Sequence, residues 1–78
     1  MICYDILWTE NEDIDEKILS LYLHIKLEIE IGFKKEVIKN KYNVPRSFWF
    51  IEKDKDKFNK ILDQYPEIKE YFKEQKVE

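Results

Sequence analysis

Leu23-His24-Ile25-Lys26-Leu27-Glu28-Ile29-Glu30-Ile31-Gly32-Phe33 is the stretch on which the architecture turns. Apolar and non-apolar residues alternate through all eleven positions. Successive side chains of a strand point to opposite faces, so this pattern predicts a half-buried β-strand over about residues 21–33. With 44% apolar residues, a given window of this length alternates by chance only about 4 times in 10,000, which favours the strand. The competing helix would be apolar on two faces. Ile14, Ile18, Leu21, Ile25 and Ile29 make one stripe at 100° per residue, and Leu19, Leu23, Leu27 and Ile31 fall nearly opposite. Such a helix needs partners on both sides.

Other elements are read outward from this run. Met1–Trp8 is apolar apart from Asp5 and reads as a strand, followed by the polar turn Glu10-Asn11-Glu12-Asp13. Asp13 with Glu16 has capping-box spacing, and Asp15 adds charge in the first turn, so a short helix is expected over about residues 14–20. Lys34–Tyr42 reads as another short helix, stopped by Asn43, Val44 and Pro45. Phe48-Trp49-Phe50-Ile51 reads as a further strand with Phe48 and Phe50 facing the core and Trp49 either the exposed member or packed under the C-terminal helices. Phe58, Ile61, Leu62 and Tyr65 follow helical spacing, and after Pro66 the residues Ile68, Tyr71 and Phe72 resume it. Two consecutive C-terminal helices with a bend near Tyr65 are predicted. The tract Lys53–Lys57 alternates in sign and reads as solvated.

The expected fold is therefore a single α+β domain over residues 1–78, a small antiparallel sheet built on the 21–33 strand and packed against C-terminal helices. Its core should hold Ile25, Leu27, Ile29, Ile31, Phe58, Ile61, Leu62 and Phe72. The alternative is an all-α bundle, dimeric, with residues 14–42 in one or two helices. At 78 residues the core has little stability to spare, so a homodimer is compatible with this composition.

Charge is segregated along the chain. Residues 1–32 carry eight acids against two lysines, residues 33–60 nine bases against four acids, and residues 61–78 five acids against three bases. The acidic front and basic middle can pair with each other. Cys3 is the only cysteine, which rules out an internal disulfide. Met1–Trp8 lacks a basic leader and no uncharged run reaches membrane-spanning length, so a cytoplasmic protein without membrane contact is expected.

Catalytic chemistry finds no constellation. His24, the single histidine, falls beside Lys26 and Glu28 on the polar face of the expected strand, with no ligand spacing around it. Glu28 and Glu30 share that face as solvated or lysine-paired acids. No enzyme activity, metal or cofactor is implied.

Two binding readings remain. In one, Lys34, Lys35, Lys39, Lys41 and Arg46 neutralise phosphates around Tyr42, with Phe48, Trp49 and Phe50 following. There Lys35–Glu52 resembles a helix-turn-helix with Tyr42-Asn43-Val44 at the turn, although Lys39 and Glu52 depart from its small and apolar positions. A DNA- or RNA-binding regulator would follow. In the other, a protein partner is engaged by Glu10, Glu12, Asp13, Asp15 and Glu16, or by Trp49, since Tyr and Trp concentrate at interface hot spots. The second is favoured: a small non-enzymatic protein that occupies a macromolecular partner, as a phage or mobile-element inhibitor of a host nuclease or defence complex would. A self-associating structural protein is the third reading.

Overall fold

The computed structural model describes residues 1–33, 42 and 44–75. In chain order these form β1 (Ile2–Ile6), α1 (Glu12–Glu28), β2 (Ser47–Phe50), a 3-10 turn (Glu52–Asp54), α2 (Lys55–Asp63), a second 3-10 turn (Lys69–Tyr71) and β3 (Phe72–Gln75). The three strands make one antiparallel sheet in the order β2-β1-β3. The protein is thus α+β, and the sheet excludes the all-α alternative.

The sheet is not built on residues 21–33. Most of that run lies in α1, and the physical reason is its second periodicity. Two residues along a helix are about 200° apart, so stripes on opposite helix faces, offset by two residues, alternate along the chain as a strand does. Ile18, Leu21 and Ile25 on one stripe are fully buried, and Ile29 beyond the helix is buried with them. Each such side chain contributes about 1.5–3 kcal/mol, whereas the helix-propensity cost of isoleucine is below about 0.7 kcal/mol per residue. Packing of the stripe decides the conformation.

The helix start also differs from the Asp13–Glu16 box. Asn11 is the N-cap, its side chain accepting from the backbone N–H groups of Asp13 at 3.0 Å and Ile14 at 3.3 Å. Glu12, Asp13 and Asp15 then stand in the first turn, where negative charge complements the helix dipole. Ile29 closes the helix in extended conformation, its N–H bonded to the Ile25 carbonyl at 2.9 Å.

One face of the sheet holds the core. Tyr4, Phe48, Phe50 and Phe58 stack or tilt against one another, with Tyr4–Phe58 centroids 4.5 Å and Phe50–Phe58 centroids 4.6 Å apart. Tyr22 brings α1 edge-on to Phe48, and Phe58 brings α2 onto Tyr4, so both helices cover the same face. Of the expected core, Ile25, Ile29, Phe58, Ile61, Leu62 and Phe72 are buried, Ile31 is half-buried, and Leu27 is exposed.

After Pro66 the chain does not form a second helix. It makes the 3-10 turn and enters β3, where Phe72 pairs with Ile6. A three-residue turn also brings residues 68, 71 and 72 together, and β1, flanked by β2 on one side, gains its second ladder from β3. The helix expected over Lys34–Tyr42 lies outside the described residues except at Tyr42. The resemblance of Lys35–Glu52 to a helix-turn-helix does not hold, because Ser47–Phe50 is a strand.

Candidate partner-binding surface

The strand β1 alternates between buried Ile2, Tyr4 and Ile6 and half-buried Cys3 and Asp5. The odd-numbered set therefore points away from the helices. Register places Trp49 and Gln75 on either side of Cys3, and Ser47 and Lys73 on either side of Asp5. Gln75 Nε2 donates to Asp5 Oδ1 at 2.6 Å, which makes the β3 side of this face polar. The β2 side carries two exposed apolar residues, Met1 at 81% and Ile51, next to the exposed carboxylate of Glu30. No described helix lies on this face.

Trp49 is the fixed point of that surface. Its backbone pairs with Cys3 on one side. On the other, its N–H donates to the Gly32 carbonyl at 2.8 Å and its carbonyl accepts from the Gly32 N–H at 2.9 Å. The ring lies across Gly32 so closely that a Cβ there would sit 2.6 Å from the indole Nε1 and 2.7 Å from Cε2. Gly32 is the only glycine in the chain. The close approach requires it, and the indole is held in one place by the backbone beneath it. Shallow clefts flank the ring, one of about 210 Å³ bounded by Met1, Ile31, Gly32 and Ile51, the other of about 240 Å³ bounded by Cys3, Ser47 and Gln75.

The acidic residues divide. Glu10, Glu12, Asp13 and Glu16 are exposed around the start of α1. Asp15 is not on the surface. It is 5% exposed, and its Oδ1 accepts from the Thr9 N–H at 2.9 Å and the Thr9 hydroxyl at 2.8 Å. Its carboxylate ties the β1–α1 connection to the helix, so the partner-binding role expected for Asp15 gives way to an internal one.

Of the basic set, Arg46 is exposed, its carbonyl accepting from the Ile6 N–H at 2.7 Å. Lys34, Lys35, Lys39 and Lys41 lie outside the described residues. His24 is half-buried on α1, where its Nδ1 meets the Tyr65 hydroxyl at 3.1 Å and the rings meet edge-on. That contact, with the 2.8 Å Lys17–Glu67 ion pair, fastens α1 to the segment after α2. Lys17 is held above, and Glu67 below, its ordinary range by that hydrogen bond and the charge it brings. Among the described residues no group of three His, Cys, Asp or Glu side chains is placed to hold a metal, and no helix is long and apolar enough to cross a membrane.

The alternation of Phe48 and Phe50 placed Trp49 on the outer face, where it is half-buried rather than exposed, and gave no sign of the Gly32 platform beneath it. Gly32 is 17 positions away, and only the turn of the chain after α1 brings it under the ring. Met1, Leu7 and Ile51 carried a usable signal, since odd-numbered residues of β1 and β2 share the outer face. No family model, curated protein or solved structure matches this chain.

Proposed function

We propose that this protein is a small non-enzymatic binding module that acts by occupying a protein partner through the outer face of its sheet, which no described helix covers. The observation that carries the reading is half-buried Trp49, pinned over Gly32 beside exposed Met1 and Ile51 on a sheet face that no described helix covers. Rigid aromatic anchors dominate binding energy in protein interfaces, and an anchor already fixed in place loses little entropy on docking. Met1 and Ile51 supply apolar area around it, while Asp5, Ser47, Lys73 and Gln75 form a polar side suited to a rim. Blocking of the partner follows from occupancy alone and needs no catalytic group.

The test is affinity capture from source-cell extract with the wild-type protein and Trp49→Ala side by side. A partner retained by the wild type and lost by a folded Trp49→Ala supports the reading, since truncation of an anchor costs about 2 kcal/mol or more. A partner retained equally by both rejects it.

A further inference from the structure

The two ladders that flank β1 are fastened differently. β2 brings two buried rings, Phe48 and Phe50, and its Trp49 is bonded in turn to Gly32. β3 brings one buried side chain, Phe72, which meets Phe48 edge-on with centroids 6.3 Å apart. Lys73, Glu74 and Gln75 are exposed. Beyond the ladder itself, two side-chain contacts hold them: Gln75 Nε2 donates to Asp5 at 2.6 Å, and the Tyr4 hydroxyl donates to Glu74 at 3.4 Å. A hydrogen bond at an exposed edge adds little beyond the one water offers, and every ordered residue loses backbone freedom. Without apolar burial after Phe72, the last three residues of β3 lie near the balance between paired and open.

We propose that Lys73–Gln75 is a strap that opens from β1 as a unit, with Phe72 as its hinge, while β1, β2 and both helices stay folded. Opening releases the Asp5 carboxylate from Gln75 and uncovers the β1 backbone at Cys3 and Asp5. The polar side of the outer face thus exists in a closed and an open form. That bearing on docking rests on the function proposed above; the opening itself does not.

β1 carries its own control. The Ile6 N–H donates to the Arg46 carbonyl at 2.7 Å on the β2 side, and the Leu7 N–H donates to the Tyr71 carbonyl at 2.7 Å on the β3 side. Successive amides of an antiparallel strand point to opposite neighbours. The amides of Tyr4 and Ile6 therefore report on the β2 ladder, and those of Cys3 and Asp5, opposite Gln75 and Lys73, report on the strap.

Native-state hydrogen exchange of the full chain, followed by NMR at increasing low urea, is the test. Protection of Cys3 and Asp5 should be at least about a hundredfold below that of Tyr4 and Ile6, and insensitive to urea because local opening exposes little surface. Equal protection at all four amides, falling together as urea rises, would overturn the proposal. Lys73→Pro removes an amide that faces β1 and should erase the protection of Asp5 while leaving the urea midpoint of the core, read by circular dichroism, unchanged. A midpoint that falls with it would place β3 in the cooperative core and overturn the strap. Neither readout involves a partner, so a failure of the docking reading and a failure of the strap are told apart.

Discussion

Gly32 lies beneath Trp49 with no room for a single added carbon: a Cβ at position 32 would stand 2.6 Å from the indole Nε1. The opposing atoms belong to a rigid ring whose own backbone is bonded to Gly32 in both directions. Gly32→Ala should therefore expel the ring or break the bridge, at a cost of about 1–3 kcal/mol. Urea denaturation reads the loss. Tryptophan emission in a Trp8→Phe background reads the movement of the ring, and an unchanged spectrum would contradict the close packing.

Ile25 and Leu27 separate helix from strand by experiment. In α1 they lie on opposite faces, Ile25 fully buried and Leu27 86% exposed. Ile25→Ala should cost about 2–5 kcal/mol, and Leu27→Ala less than about 0.5 kcal/mol. In a strand the two residues would share a face and their costs would be similar.

That pair also shows how far the sequence could be read. The alternation from Leu23 to Phe33 was a true signal of two apolar sets, and a strand and a two-faced helix share it. The sequence does contain the deciding stripe, Ile14 to Ile29, but not the sheet that covers it, which β1, β2 and β3 assemble from both ends of the chain. Phe48, Trp49 and Phe50 were legible because a four-residue strand has only one way to hide two rings. β3 was not, since Phe72-Lys73-Glu74-Gln75 has one apolar residue and owes its conformation to pairing with β1. Asp15 looked like its exposed neighbours, because its Thr9 partner becomes visible only once the β1–α1 connection has folded back.

Asp15 and Glu16 are neighbours with different consequences. Asp15→Ala would strip the Thr9 N–H of its acceptor and leave the Thr9 hydroxyl only the Asn11 carbonyl at 3.2 Å, in a part-buried setting, and should cost about 1–3 kcal/mol. Glu16→Ala, at an exposed position, should change stability by less than about 0.5 kcal/mol. A cycle with Thr9→Val, read by urea midpoints, should show that the Asp15 and Thr9 effects are coupled rather than additive.

Alkaline pH should unfold the protein earlier than lysine chemistry alone would. Burial raises the Tyr4 hydroxyl above 10.0, with the Glu74 carboxylate adding to the shift, and burial likewise raises Tyr22. The unfolded chain then releases these protons first. Stability is fully present below about pH 10 and falls as pH rises through the folded values. Denaturation midpoints across this range, with tyrosinate absorbance recorded in parallel, check the sign. Tyr4→Phe should remove part of the alkaline decline, and an unaltered decline would show that other groups govern it.

The most direct test of binding through the sheet face is site-specific photocrosslinking in the source cell. A photoreactive side chain replaces Ile51 or Lys73 on that face in one set, and Lys60 at an exposed position of α2 in another. The expected result is one protein covalently trapped from positions 51 and 73, absent from position 60, and lost when Trp49→Ala is added. Equal trapping from all three positions, or trapping from position 60 alone, would contradict the assignment of the outer sheet face as the binding surface.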